Sequence, residues 1–341
     1  MALHTTALGA FPKPAHLELP DWFAVGEPDA ADFGLEASTS TQVDRATQEV
    51  VRLQVDAGVD IPTDGEIRRE NYIHYHCRHL DGFDFGKLTE KVVRDGTWRA
   101  KLPTVVGPIA PRESFLDRDY LVAQSATSRP VKMTIPGALT IMDTSANAYY
   151  ESDLAWGHAL AKALNHEVLA LVDAGCTQIQ IDEPVFARYP DAARSYGFDL
   201  IEVALGDVPE GVTTTVHVCC GYPDRLDNLD YPKADPHAYH HLAEHIDASS
   251  IDMVSLEDAH RHNDLDLFER FANTIVVLGA VRIASSQIET VDEIASRVEA
   301  VLQHVGGARM LLAPDCGLGF LPQEIALAKL RNLREAADRF G

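Results

Sequence analysis

The chain has 341 residues, 46% of them hydrophobic, and a formal net charge of -23. This length suits one large α/β unit over residues 1–341, and an acidic balance without a basic run excludes nucleic acid and anionic membrane surfaces as partners. Five cysteines in so long a chain read as metal or catalytic thiols rather than a disulfide framework, and the lack of a leader pattern or of an apolar run near about 18 residues predicts a soluble, cytoplasmic protein.

Strand-like segments follow at 3–8, 59–63, 131–136, 177–182, 213–219, 251–256, 274–281 and 309–314. Most are apolar or β-branched runs without clean alternation, as expected of parallel strands buried on both faces. Helical spacing lies between most of them. Residues 40–57 stop at Gly58, residues 152–174 stop at Gly175, and residues 290–304 open on a Thr290/Glu293 capping box and stop at Gly306-Gly307. Eight strands alternating with helices predict a (β/α)₈ TIM barrel. Residues 80–130, with GFDFGKL and LPTVVGPI, read as an inserted β-hairpin excursion. The Pro-, Asp- and Tyr-rich stretch 220–236 reads as a long loop able to cover a site.

Polar residues collect at the C-terminal ends of these strands: Gly9, Asp64-Gly65-Glu66, Pro136-Gly137, Asp182-Glu183-Pro184, His217/Cys219, Glu257 and Asp315-Cys316. In a barrel that is the active face. His217 and Cys219 alternate to one side of their strand, Cys220 to the other. Gathered with Glu257 and Cys316, they supply one imidazole, two thiolates and a carboxylate, a tetrahedral Zn²⁺ set with one weak, displaceable ligand. Such an ion ionises a further thiol near neutral pH, and two thiolates with a neutral imidazole leave that thiol nucleophilic. Cys220 replaces Cys219 if the register slips by one residue. Asp315, beside Cys316, is a candidate to orient His217 or accept a proton. Glu66 and Asp182 are paired carboxylates able to hold an ammonium group. His74/His76 and His260/His262 read as surface or hydrogen-bonding histidines, and Cys77 and Cys176 as small hydrophobes.

At these residues the chain resembles the C-terminal catalytic barrel of cobalamin-independent methionine synthase over essentially its whole length. The motifs are Thr5-Thr6-Ala7-Leu8-Gly9-Ala10-Phe11-Pro12, Asp64-Gly65-Glu66 with Arg69-Glu70-Asn71, Ile179-Gln180-Ile181-Asp182-Glu183-Pro184, His217-x-Cys219, Glu257, and Pro314-Asp315-Cys316-Gly317-Leu318. The resemblance implies zinc on His217, Cys219, Glu257 and Cys316, with Glu257 exchanging for the substrate thiol. It implies that Glu66 and Asp182 hold the amino acid part of homocysteine, and it sets Gly9 and Ala10 against the substrate.

Three departures limit what carries over from the family. Ala10 stands where the family has Ser, so one polar contact to an amino acid substrate is missing. Gly137-Ala138-Leu139-Thr140-Ile141-Met142-Asp143-Thr144 lacks the Trp that the family sets against a pterin ring. The family's additional N-terminal barrel, which contributes to folate binding, has no counterpart in a chain of this length. The expected reaction is therefore methyl or alkyl transfer to a small-molecule thiol, homocysteine foremost, from a donor other than the usual folate polyglutamate. A corrinoid such as methylcobalamin, a donor protein, a methylated folate, a small methylated metabolite and an epoxide all stay open as donors. So do rival readings: epoxyalkane:coenzyme M transferase chemistry, a non-catalytic zinc protein, a zinc hydrolase, and a metal-independent lyase like uroporphyrinogen decarboxylase that would use Arg68, Arg69 and Arg282. Nothing in the sequence sets an oligomeric state.

Overall fold

The computed structural model describes residues 2–17, 19, 37–93, 98–223, 225–228, 230–306 and 309–341. Its strands are β1 (His4–Thr5), β2 (Leu80–Val93), β3 (Trp98–Pro111), β4 (Lys132–Pro136), β5 (Ala146–Asn147), β6 (Gln178–Asp182), β7 (Thr213–Val218), β8 (Met253–Leu256), β9 (Ile275–Val281) and β10 (Met310–Pro314). Seven of them form one parallel sheet in the order β1-β10-β9-β8-β7-β6-β4. The expected strand at 59–63 survives only as two isolated parallel bridges, Thr6 to Ile61 and Thr63 to Lys132. Pro62 explains why: it has no N–H to give a ladder, and only its carbonyl is used, accepting from Lys132 at 2.8 Å. The two bridges carry the curl from β1 round to β4, so the fold is TIM-barrel-like, with seven of the eight expected staves formed as strands and the eighth reduced to these bridges.

Alternation along the staves explains the apolar runs. Outward residues such as Ile135, Ile179, Val216, Val254, Val276 and Leu278 are fully covered and belong to the main core under the helices. Inward residues divide by arc. Leu8, Val277, Leu311 and Ala313, with Ile61, Met253 and Ile275, make a small apolar plug on one side. Lys132, Thr134, Gln180, Thr215 and His217 are buried on the other. Buried polar side chains are costly unless they are paired or put to use, so the second arc marks where the chemistry lies.

The expected helices form with small shifts of their ends. They are Ala37–Asp56, Asp153–Asp173, whose Ser152 side chain caps Ala155 N–H, and Val291–Leu302, which has the Thr290/Glu293 capping box in both directions. The last stops at Leu302 rather than 304, and the expected stop residue Gly307 lies outside the described residues. The excursion differs more. β2 and β3 pair antiparallel from Leu80–Pro111 to Val93–Trp98, each 14 residues long, and β3 continues onto β5 in parallel. The two short pieces read from sequence are the inner ends of these strands. Their outer ends run through TEKVV and WRAK, where the backbone ladder and not an apolar stripe holds the pair, so no periodicity signals them. The excursion ends at Pro111, and Leu116–Gln124 returns to the barrel as a helix. Among the described residues no helix is long and apolar enough to cross a membrane.

Candidate metal centre

Register sets the site. β6 pairs with β7 so that Asp182 lies opposite His217, and β7 with β8 so that His217 lies opposite Ser255. β7 ends at Val218, and Cys219 follows on the His217 side. Cys220 turns into the core, where burial pushes its thiol up and Tyr239 is its neighbour. Cys316 arrives from the end of β10. One donor atom each from His217, Cys219 and Cys316 lies within 4.8 Å of the others. His217 Nε2 is 3.3 Å from Cys316 Sγ, and Nδ1 is 2.9 Å from Ser255 Oγ. Ser255 thus fixes the ring so that Nε2 faces the sulfurs, the arrangement by which outer groups orient a metal-binding imidazole.

The trio shares its protons unevenly. Cys219 is held well below the ordinary thiol range, chiefly because the Cys316 thiol donates to it; Cys316 is pushed well above that range by the same contact. Burial alone would lower His217, but its hydrogen bond to Cys219 and the Cys219 charge raise it. A buried thiolate is thus balanced by protons held between three soft or borderline donors. Zn²⁺ is the cation whose ligand preferences match one imidazole and two thiolates at this spacing.

Glu257 stands apart from the trio. Its Oε2 accepts the Cys220 N–H at 3.2 Å, and its Oε1 forms an ion pair with Lys233. It groups instead with His260 and Asp315. Asp315 departs from expectation as well. It does not orient His217, whose Nδ1 goes to Ser255. Its carboxylate accepts the N–H groups of Asp258 and Ala259 at 2.8 Å each, the His260 N–H at 2.7 Å and His260 Nδ1 at 2.7 Å. Burial would raise it, yet His260 and those N–H groups hold it below the usual carboxylate range. Asp315 therefore braces the turn after Glu257 and leaves no oxygen turned toward His217.

The trio opens on a cavity of about 560 Å³ lined also by Gly9, Ala10, Glu66 and Asp182, the four residues expected to face substrate. Glu66 is pinned by Thr134 Oγ1 at 2.8 Å and Arg69 Nη1 at 3.2 Å, on a backbone with φ of 54° that a side-chain-bearing residue seldom adopts. Burial, with Asp182 and Asp64 nearby, pushes its carboxyl up to about 7 despite Arg69. Burial raises Asp182 too, while His217 and the Gln180 side chain at 2.7 Å oppose this. Gly9 has φ +53°, and a Cβ there would come within 3.0 Å of Glu66 Oε1, so only glycine lets the β1 loop pass over that carboxylate. At Gly317 a Cβ would fall 2.8 Å from Ala10 N, so the loops after β1 and β10 close the rim together.

Among the other residues that line the cavity are Tyr72, Arg188, Tyr222, Tyr231, Lys233 and Phe320, to which no role was assigned. Tyr222, Tyr231 and Lys233 come from the long loop after Cys220, whose composition signalled a cover but not which side chains turn inward. Tyr222 stacks on Phe320 with ring centroids 5.1 Å apart and gives its hydroxyl to Gly317 O at 2.8 Å. Arg188 ends the short helix after Pro184 and reaches Asp143 at 3.3 Å. His74 and His76 bond backbone carbonyls of Thr144 and Tyr72, and His262 is exposed. Cys77 and Cys176 are buried thiols. Arg68, Arg69 and Arg282 are committed to Asp119, Glu66 and Glu289, so an acidic tetrapyrrole would find none of them open.

The sequence profile of the family described as cobalamin-independent synthase, catalytic domain, matches residues 3–339. A methionine synthase of Sulfolobus acidocaldarius is 31% identical over 336 residues, covering 97% of this chain and 90% of the relative. One from Thermococcus kodakarensis is 30% identical over 343 residues, covering 98% and 93%. Among solved structures, a B12-independent methionine synthase from Shewanella sp. W3-18-1, complexed with selenomethionine, superposes with a TM-score of 0.88 at 28% identity, covering 100% of this chain and 98% of that one.

Proposed function

Because the chain belongs to the cobalamin-independent synthase catalytic-domain family, we propose that it is a zinc-dependent methyltransferase that methylates homocysteine to methionine. The observation that carries this reading is the buried His217, Cys219 and Cys316 trio at one wall of a cavity whose other wall holds two carboxylates, Glu66 and Asp182. His217, Cys219 and Cys316 would hold the ion, with Glu257 as the exchangeable fourth ligand. Bound zinc supplies the Lewis acidity that ionises a thiol near neutral pH.

The chain's own groups then have distinct tasks. Glu66 and Asp182 bind the ammonium of the amino acid, and the Arg69 and Thr134 contacts keep Glu66 in place to do so. Arg188 offers a cation to the substrate carboxylate, taking over from the hydroxyl that Ala10 withholds. This acid-lined wall favours homocysteine over a sulfonated thiol such as coenzyme M. Tyr222 and Phe320 form an aromatic shelf for the donor at the rim. Without a Trp after Thr140, that donor is a corrinoid or another small methylated compound rather than a folate polyglutamate. An open cavity of this size beside the trio argues against simple zinc storage. Five free cysteines fit a reducing compartment, the cytoplasm.

The test is zinc analysis of purified protein, followed by isotope tracing with homocysteine and coenzyme M against a panel of methyl donors. Labelled methionine formed only by zinc-loaded protein is the expected result. Full activity in metal-free protein would end the zinc reading, and coenzyme M alkylation without homocysteine methylation would end the amino acid one.

A further inference from the structure

We propose that Lys233 is a positioning residue that receives the Glu257 carboxylate when it leaves the His217–Cys219–Cys316 trio, so that Glu257 yields its coordination position to the incoming thiol. This rests on the zinc reading above and adds a role for the loop after Cys220.

Glu257 emerges two residues beyond Ser255, on the face that carries His217's neighbour, and its side chain is only 4% exposed. A carboxylate so buried needs a compensating partner. Two partners are present, and both come from the 219–234 stretch: the Cys220 N–H and the Lys233 ammonium. The same stretch is fastened at that point. Ala234 N–H donates to Cys220 O at 2.8 Å, and Arg261 Nη2 donates to Ala234 O at 3.0 Å. Lys233 Nζ also lies 4.6 Å from the centroid of the Tyr231 ring, a cation–π contact that confines it further. Lys233 lines the cavity and Glu257 does not. Lys233 thus touches both the carboxylate and the cavity where a thiol would arrive.

Charge counting gives the direction. A dication with two thiolates is neutral, and either one carboxylate or one further thiolate makes the group monoanionic. With both present the buried charge is -2, unless a cation stays with the carboxylate. Lys233 is that cation, and with it the total returns to -1. Removing the ammonium while keeping the stem leaves the metal as the best remaining partner for Glu257. The carboxylate would then compete with the thiol for the same position.

The experiment compares wild type, Lys233→Met and Lys233→Arg, each alone and with Glu257→Gln. Zinc affinity is read by chelator competition, and homocysteine affinity by the thiolate charge-transfer band of the Co²⁺-substituted protein. Lys233→Met is expected to bind zinc about tenfold more tightly and homocysteine about tenfold more weakly, in keeping with ligand-orienting contacts elsewhere. Lys233→Arg is expected to behave as wild type, and the Lys233→Met effect to vanish in the Glu257→Gln background. Lys233→Gln replaces Lys233→Met if the latter does not fold. Unchanged zinc and thiol affinities, or effects that persist without the Glu257 carboxylate, would overturn the proposal while leaving the zinc reading intact. A wild-type protein that takes up no zinc would instead overturn that reading and the proposal with it.

Discussion

His217 Nε2 lies 3.3 Å from Cys316 Sγ, although 99 positions separate them in the chain. The two come from the ends of β7 and β10, staves separated in the sheet by β8 and β9. The curl of the sheet brings them together, so the contact reports the fold and the site at once.

If the trio is a metal centre, its members and their support should differ in effect. Cys316→Ser removes a donor atom and is expected to lower zinc affinity by more than about 100-fold. Ser255→Ala removes only the contact at His217 Nδ1, which is 2.9 Å. Its loss is expected to cost about 10–100-fold, the usual range for a group that orients a ligand. Competition with a chromogenic chelator ranks the variants. Equal losses, or a larger loss in Ser255→Ala, would contradict the assignment of roles.

Much of this was legible beforehand because it depends on period and on position along a strand. Seven of the eight staves, the helix caps and the collection of polar residues at strand ends all follow from local pattern. Alternation with His217 already favoured Cys219 over Cys220, and β7 ending at Val218 with His217 facing Ser255 keeps that register. The role of Asp315 was not legible. Its neighbour in sequence, Cys316, enters the site, but its partners are backbone N–H groups of 258–260, and a sequence carries no mark of who accepts a backbone hydrogen bond. Lys233 was hidden for a similar reason. In a loop without periodicity, nothing tells which of the Asp, Tyr and Lys side chains turns inward.

The bracing role of Asp315 makes its own prediction. Asp315→Ala leaves the N–H groups of Asp258, Ala259 and His260 without an acceptor in a site from which water is excluded, Asp315 being 1% exposed. Breaking a buried pair of this kind costs about 3–5 kcal/mol. The expected result is a large fall in urea midpoint together with reduced zinc affinity, because the turn also carries Glu257. A variant that unfolds like wild type yet loses activity would show that Asp315 acts on substrate instead.

Adjacent carboxylates at the end of β6 have opposite duties. Asp182 faces the cavity, whereas Glu183 accepts the Leu139 N–H at 2.9 Å, the Thr140 N–H at 3.0 Å and Thr140 Oγ1 at 2.7 Å. It caps the helix Ala138–Asp143, whose own N-cap residue, Gly137, has no side chain and no room for one, since a Cβ would sit 2.1 Å from Glu183 Oε1. Both oxygens accept, so Glu183→Gln turns an amide donor onto a donor. The expected cost is about 1–3 kcal/mol by chemical denaturation, with zinc affinity retained. Asp182→Asn is expected to do the reverse, weakening amino acid binding with little effect on stability.

Glu66 supplies the pH dependence. Burial pushes its carboxyl up to about 7, with Asp182 and Asp64 adding to the shift and Arg69 opposing it. Below that value the carboxyl is neutral and attracts an ammonium weakly; above it the charge is present. Binding of norleucine, which has the amino acid head and no sulfur, should therefore strengthen about tenfold between about pH 6 and pH 8. The absence of a thiol keeps the metal's own titrations out of the measurement. In Glu66→Gln the rise should disappear, with affinity low throughout. Stability should run the other way. A carboxyl raised from 4.5 to about 7 by folding binds its proton more tightly in the native state, so its contribution is full below 4.5 and is withdrawn as pH climbs through 7. Urea melts of the free protein should weaken across that window in wild type and less so in Glu66→Gln. Norleucine affinity that is flat from pH 6 to 8 would mean that Glu66 does not receive the ammonium, and the amino acid subsite would have to be rebuilt around Asp182 alone.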